Sequence, residues 1–352
     1  MNNLRYFRGS IGVTIIGLAL GGLLGFYYSH TLAGAFSALF IVSVLGVLEV
    51  SLSFDNAVVN ATVLKDMNAF WRRMFITWGI LIAVFGMRMV FPLVIVGVSA
   101  KLGVMEAFSL ALKNPTEYAR ILGNAQPVIS AFGGAFLAMV GLKFFFDIEK
   151  DSHWFGPLEK LLAKVGKIEA VEMGLVMVTL YVVSKYLPAV DQVRFLVAGM
   201  FGLVAYIGVD GIGAVMERTE EAAGKAIKSG FALFLYLETL DASFSFDGVI
   251  GAFALSNNIF IIAIGLGIGA MFVRSLTIMF VEKGTLAQYR FLEHGAFYAI
   301  TILAAIMFLT AFMHIPEIVS GLVGAGFIGL AFVCSVVCNK RERAGTRNTP
   351  ES

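Results

Sequence analysis

The sequence predicts an all-α fold: a polytopic membrane bundle of about ten transmembrane helices that contains an inverted internal repeat. Three observations support this prediction. The 352 residues are 59% hydrophobic and only 14% charged, which is far from the average of soluble domains. Long apolar segments recur along the whole chain. A short acidic motif occurs twice within apolar sequence, once in each half of the chain.

Each predicted span follows from the length of an apolar segment, because roughly 20 apolar residues cross the hydrocarbon core of a bilayer. The first segment follows Arg5 and Arg8. It is longer than the apolar core of a signal peptide and no cleavage site closes it, so we predict a membrane helix. The predicted spans are 10–29, 32–64, 73–98, 127–146, 170–187, 192–215, 230–256, 258–281, 294–313 and 316–338.

These spans form one predicted transporter domain, residues 1–338. Its two repeats cover about 32–146 and 230–338, and central helices at 170–215 link them. The polar tail, 339–352, is predicted to be disordered and cytoplasmic.

Basic residues concentrate in the loops on one side of the predicted bundle, the side of the two termini. By the positive-inside rule both termini are cytoplasmic, and we expect a bacterial inner membrane protein. The connector at 147–169 has the pattern of an amphipathic helix with its lysines towards lipid headgroups, and a solvated connector is the ordinary alternative. A formal charge of +2 is too small to suggest nucleic-acid binding.

The two motif copies match acid to acid, serine to serine and phenylalanine to phenylalanine. Residues 49–56 read Glu-Val-Ser-Leu-Ser-Phe-Asp-Asn, and residues 241–248 read Asp-Ala-Ser-Phe-Ser-Phe-Asp-Gly. The apolar segment after each copy contains one arginine, Arg88 or Arg274. The copies lie in the second and seventh spans, an odd number apart, so they cross the membrane in opposite directions, as in an inverted repeat.

Carboxylates inside a bilayer are costly and mark functional sites. The motif region contains five acids, Glu49, Asp55, Glu238, Asp241 and Asp247, and only two arginines to balance them. A divalent cation would fill that charge deficit. The other donors are the amides of Asn56 and Asn60 and the hydroxyls of Ser51, Ser53, Ser243 and Ser245. Such all-oxygen donors suit Mn²⁺, Mg²⁺ or Ca²⁺ better than Cu⁺ or tetrahedral Zn²⁺.

We expect a local unwinding at the Ser-Phe-Asp step of each copy, which would direct both carboxylates to one point. Gly248 and Gly251 make this unwinding inexpensive in the second copy. The alternative is purely structural: Arg88 and Arg274 would pair with acids to lock the bundle. Asp210, within another span, is either part of a proton path or a hydrogen-bonded structural acid.

On these motifs the chain resembles the TerC-type family, named for tellurium resistance, and more specifically its TerC-like branch, long labelled a domain of unknown function. The resemblance covers roughly residues 35–335 and includes both arginines and the Leu-Glu-His-Gly-Ala segment at 292–296. It implies a place in the LysE-like transporter superfamily, with paired three-helix repeats and, for several TerC-type members, Mn²⁺ export or metal loading of exported proteins. The metal ligands that it implies are Glu49, Asp55, Asn56, Asp241 and Asp247.

We therefore predict an exporter of divalent metal cations, with Mn²⁺ as the expected substrate, that works by alternating access and has no enzymatic activity or cofactor. The supporting residues are Ser51, Ser53, Ser243, Ser245, Glu238, Arg88, Arg274 and Asp210. The predicted partners are the lipid bilayer and the metal ion, and protons as counter-ion and a homo-oligomer are left open. The alternatives are a LysE-like exporter of a small cationic or zwitterionic metabolite, a membrane scaffold in metal or tellurium stress response, and an aspartyl protease that uses Asp55 and Asp247.

Overall fold

The computed structural model describes residues 3–147, 152–166, 170–222 and 230–346. Every regular element in these residues is helical, which confirms the all-α prediction. The helices are α1 (Leu4–Ser29), α2 (Leu32–Leu52), α3 (Phe54–Leu64), α4 (Ala69–Leu81), a π-helical segment (Ile82–Val90), α5 (Phe91–Ala100), α6 (Val104–Lys113), α7 (Pro115–Asn124), α8 (Gln126–Phe146), α9 (Gly156–Val165), α10 (Val171–Ser184), α11 (Ala189–Ala222), α12 (Gly230–Leu255), α13 (Ile259–Glu282), α14 (Thr285–Gln288), α15 (Leu292–Thr310) and α16 (Glu317–Thr346).

Seven helices of the described chain are long and apolar enough to cross a membrane, and the bent pair of α4 and α5 raises the number to eight. The seven are α1, α2, α8, α11, α13, α15 and α16. Seven or eight of the ten predicted spans therefore overlap helices of this length and hydropathy, and the other two overlap α10, which is apolar but shorter, and α12. Helix α12 carries three acids, Glu238, Asp241 and Asp247, within its apolar length. These apolar helices identify a membrane protein.

The predicted second span is broken at Ser53. Helix α2 ends at Leu52 and α3 begins at Phe54, because Ser53 leaves the helical region with φ −104° and ψ 19°. This break confirms the unwinding expected at the Ser-Phe-Asp step of the first motif copy.

The second motif copy contradicts the same expectation, since α12 runs through it without a break. Gly248 has a different use there. A Cβ at this position would lie 3.2 Å from Glu49 Oε2, so the missing side chain gives space to a carboxylate of the first copy rather than flexibility to the backbone.

Helices around the two motif copies pack in exchanged pairs. Helix α13 packs against α2 and α3, and the π-helical segment packs against α12. Helix α15 packs against α3, and α8 packs against α12. If α2 and α3 are matched with α12, α4 and the π-helical segment with α13, and α8 with α15, each of these contacts has a counterpart between the matched helices. Helices α8 and α15 also pack against each other.

Close approach of these helices depends on glycine. A Cβ at Gly265 would lie 2.6 Å from the Leu45 Cβ, and one at Gly269 would overlap the side chain of Glu49. Helix α13 therefore lies directly against α2, as glycine at a membrane helix interface allows. Helix α8 is central, with 72% of its apolar window buried, whereas α1 is peripheral with 22%.

The connectors are helical. Residues 99–126 contain α6 and α7, and the 147–169 connector contains α9. Helix α11 extends through Ala222, and residues 223–229 lie outside the described part. Helix α16 continues through Thr346 and so includes the beginning of the predicted disordered tail, whose residues 347–352 are not described.

Candidate functional site

A small cavity lies where both motif copies meet both arginines. Its volume is about 20 Å³, enough for roughly one water-sized sphere. The motif residues that line it are Glu49, Ser53, Asn56, Asn60 and Asp241, and the following helices contribute Phe75, Arg88, Ala270, Val273, Arg274 and Thr277. We call it the Asp241 cavity. Its lining residues come mainly from α2, α3, α4, the π-helical segment, α12 and α13.

Asp241 connects the two motif copies. Its Oδ1 accepts a hydrogen bond from Asn56 Nδ2 at 2.8 Å and a longer one from Asn60 Nδ2 at 3.5 Å. Asn56 and Asn60 are four residues apart on α3 and therefore share one face of that helix. All three side chains are buried. The break at Ser53 thus allows α3 to present two amides to an acid of the other copy.

The carbonyl ends of the same two amides have no such partner. Asn56 Oδ1 and Asn60 Oδ1 are buried and accept no hydrogen bond from the described residues. Buried polar atoms without a partner are uncommon in folded proteins, and each one calls for an explanation. Here both unpartnered acceptors belong to side chains that line the Asp241 cavity.

Glu49 forms a buried ion pair with Arg88. Its Oε1 accepts from Arg88 Nη2 and also from Ser53 Oγ at 3.2 Å. Both charged side chains are about 3% exposed. Arg88 lies in the π-helical segment, whose wider turn is a recurrent feature of functional sites in helices. The second copy has no such π segment, because Arg274 lies in the regular helix α13.

Arg274 makes different contacts from those of its counterpart. Its guanidinium donates to the Phe75 carbonyl and lies over the Phe75 ring, 4.1 Å from the ring centroid. Glu238 Oε1 and Arg274 Nη2 both lie against Gly79, where a Cβ would collide with each. The Glu238 oxygens are buried and accept no hydrogen bond from the described residues.

Asp55 lies in a second cavity of about 40 Å³, which Glu49 and Ser53 also line. Its buried carboxylate accepts the Asn56 backbone N–H at 2.9 Å, and a Cβ at Gly324 of α16 would lie 2.7 Å from its Oδ2. Glu49 therefore lines both cavities, whereas Asp55 lines only the second. Among the described residues, no three His, Cys, Asp or Glu side chains are grouped to hold a metal ion.

The remaining predicted residues have separate positions. Ser51 is exposed and donates to the Val47 carbonyl at 2.8 Å. Ser243 is buried and donates to the Thr239 carbonyl at 2.9 Å, and Ser245 is buried. None of these three lines the Asp241 cavity. The Asp247 side chain lies outside the described residues.

Asp210 lies apart from the site. It is half exposed and pairs with Lys143 Nζ at 3.0 Å. Neither residue lines the Asp241 cavity or the second cavity, which contains Asp55 and which we call the Asp55 cavity. This contact favours the structural interpretation of Asp210.

Sequence reasoning did not find four of the lining residues, Phe75, Ala270, Val273 and Thr277. Phe75 contributes a carbonyl and a ring to Arg274, and Thr277, 1% exposed, lies one turn beyond that arginine. For Thr277 the spacing of three residues on an arginine-bearing helix was an available signal. A backbone acceptor such as the Phe75 carbonyl has no signal in the sequence.

A family model matches most of the chain. The model of a family described as "Protein of unknown function (DUF475)" matches residues 54–342. The matched part begins at the start of α3 and includes Asn56, Arg88, Asp241 and Arg274. No curated protein and no solved structure matches the chain.

Proposed function

The chain belongs to the DUF475 family of proteins of unknown function, so we propose its function from the site: it transports a divalent metal cation through the Asp241 cavity, and Mn²⁺ is the expected substrate. One observation carries this proposal. Two buried amide oxygens without hydrogen-bond donors line a cavity together with two carboxylates. Carboxylate and amide oxygens are the ligands that hard divalent cations use.

The charges of the site favour a divalent ion. Glu49, Asp55, Glu238 and Asp241 are four acids, and Arg88 and Arg274 are the two arginines that face them. If all four acids are ionised, two negative charges remain, and Asp247, the further proposed ligand, would add a third. A divalent cation offsets more of this charge than a monovalent cation does.

The arginines act as internal counter-ions in this proposal. Arg88 neutralises Glu49, and a bound cation would replace that guanidinium. Arg274 is held by the Phe75 carbonyl and ring instead of an acid, which leaves Asp241 to the amides. Return of Arg88 to Glu49 would then favour release of the ion.

The exchanged packing pairs support an inverted repeat of three-helix units around this site. Such repeats provide alternating access by rocking one unit against the other. We propose ten crossings of a bacterial inner membrane, cytoplasmic termini and export as the direction, as in the TerC-type and LysE-like proteins that the motifs resemble. Asp247 remains a proposed ligand on the basis of the sequence motif.

A LysE-like export of a small cationic or zwitterionic metabolite is the second candidate. Pockets for organic ligands measure about 300–1,000 Å³. The Asp241 and Asp55 cavities measure about 20 and 40 Å³, which favours an ion. A scaffold role in metal or tellurium stress response would require neither cavity.

The test is metal uptake into inverted membrane vesicles that contain the protein at matched levels, with Mn²⁺, Mg²⁺, Ca²⁺ and Zn²⁺ compared. We expect Mn²⁺ uptake by the native protein and at least about a tenfold loss in Asp241→Asn and Asn56→Ala, because each removes an oxygen ligand or its support. Asp210→Asn is the matched control. Its carboxylate lies outside both cavities, so uptake should be retained.

Three results would contradict the proposal. An equal loss of Mn²⁺ uptake in Asp210→Asn would show that transport does not depend specifically on the residues of the Asp241 cavity. Uptake of a cationic amino acid without any metal would support the LysE-like alternative. Absence of transport for every substrate by a folded protein would support the scaffold role.

A further inference from the structure

Helix α9, Gly156–Val165, has an unusual distribution of its side chains. The residue that it buries is an acid: Glu159 is 1% exposed. Two of its three leucines point away from the protein, since Leu158 is 48% and Leu161 59% exposed, and Leu162 is of intermediate exposure. Lys160 and Lys164, one turn apart, are also exposed. A helix at a purely aqueous surface shows the opposite arrangement, with leucines inward and acids outward.

Glu159 fixes the start of α9 on the bundle. Its Oε1 accepts from the Trp154 and Phe155 backbone N–H groups and from the Tyr298 hydroxyl, each at 3.2 Å. Its Oε2 lies 3.4 Å from His294 Nε2 of α15. These contacts explain why an acid faces inward.

The other end of α9 is fixed by close backbone contact. A Cβ at Gly166, the residue after α9, would overlap the Phe146 carbonyl at the end of α8. Both ends of α9 are therefore anchored to the bundle. The outward direction of Leu158 and Leu161 follows from these contacts and is a property of the fold.

The position of α9 indicates what covers its outer face. It lies where α8 ends, at Phe146, and where α15 begins, near His294. Both α8 and α15 are candidate membrane spans. Helix α9 therefore lies at the level where spans leave the membrane, beside Trp154 and Tyr298, whose rings are 5.8 Å apart. Aromatic residues of this kind are enriched at membrane interfaces.

We propose that the outer face of α9 binds the surface of an anionic bilayer. Leu158 and Leu161 would enter the acyl boundary, and Lys160 and Lys164 would bind lipid phosphate groups. Interfacial helices combine such an apolar face with flanking lysines. A basic segment on the cytoplasmic side meets the anionic leaflet, which complements the lysines. This inference does not depend on which substrate the Asp241 cavity transports.

The test measures the depth of single cysteines in proteoliposomes of the full chain. Cys334→Ser and Cys338→Ser remove the native thiols, and Leu161→Cys carries a bimane label. In vesicles containing phosphatidylglycerol we expect quenching by doxyl-labelled lipid and protection from aqueous iodide. Ala287→Cys is the control, because Ala287 is exposed in the connector that contains α14. It should be quenched mainly by iodide.

Charge reversal tests the lipid preference. In Lys160→Glu with Lys164→Glu, lipid quenching of the label at position 161 should fall in phosphatidylglycerol vesicles and change little in phosphatidylcholine vesicles. Each lysine near an anionic surface should change the docking equilibrium by about fivefold, which corresponds to about 1 kcal/mol. Iodide quenching at position 161 equal to that at position 287, or a charge reversal without effect in anionic vesicles, would overturn the proposal.

Discussion

At the residue scale, the central feature of the site is the buried ion pair of Arg88 and Glu49. Both are buried to about 3% exposure, and both line the small Asp241 cavity. Removal of one partner of a buried pair leaves the other charge uncompensated in a medium of low dielectric constant. The pair is therefore a constraint on stability as well as a candidate step in transport.

We predict that Arg88→Leu lowers the free energy of unfolding by about 3–5 kcal/mol, measured as loss of thermal stability in detergent. The double variant Glu49→Leu with Arg88→Leu should recover much of this loss, because it removes both charges. Arg120→Ala is the control: Arg120 pairs with Glu117 on an exposed face, so its removal should change stability little. Equal stability of Arg88→Leu and the native protein would show that the pair is not formed.

At the element scale, α13 lies close to α2 because glycines stand at their contact. This contact places Glu49 beside α13, the helix that carries Arg274. We predict that Gly269→Ala destabilises the protein by about 1–3 kcal/mol, because its Cβ would overlap Glu49 and lie 2.8 Å from the Gly46 carbonyl. Gly326→Ala, within α16, meets no atom within 4 Å and should be neutral. The measurement is the thermal unfolding midpoint of each variant. Equal midpoints for Gly269→Ala and Gly326→Ala would contradict the close packing of α13 against α2.

The π-helical segment sets the direction of Arg88. Deletion of Gly86 within Ile82–Val90 would let the π-helical turn close to an α-helical one, because a π turn contains one residue more than an α turn, and this would change the direction of Arg88. We predict that the variant keeps its helical circular dichroism and loses metal transport, because the guanidinium no longer faces Glu49. Gly86→Ala, which keeps the number of residues and whose Cβ would approach only Ile82, at 3.5 Å, is the control. Transport by the Gly86 deletion equal to that of the native protein would show that the wide turn has no role in the site.

The exchanged packing pairs are a property of the whole molecule. An inverted repeat requires that the loops after the two motif copies lie on opposite sides of the membrane. These loops contain the exposed residues Asp66 and Asn257. Because the first lies in a lysine-containing and arginine-containing loop, we expect it on the cytoplasmic side.

We predict that Asp66→Cys reacts with a membrane-impermeant maleimide only from the cytoplasmic side and Asn257→Cys only from the opposite side. The measurement uses chains without Cys334 and Cys338, in intact cells and in inverted vesicles. Labelling of both positions from the same side would exclude the inverted repeat, even if each variant transports metal.

The sequence was informative where the physics is local. The apolar lengths predicted the helices, and the polar Ser-Phe-Asp step predicted the break at Ser53. It was wrong about α12, where a glycine that suggested flexibility instead makes space for Glu49 Oε2. Whether a glycine serves a turn or a close approach depends on a neighbour that is distant along the chain.

By itself the sequence determined that this protein is an all-helical membrane protein with two acidic motifs, because hydropathy and spacing act within a single segment. Only the tertiary structure decided how those residues are grouped: Asn56 and Asn60 bind Asp241 of the other copy, Asp55 lies in a neighbouring cavity, and Asp210 pairs elsewhere with Lys143. The physical reason is that buried polar groups must satisfy one another across helices, and the partners come from segments that only packing brings together.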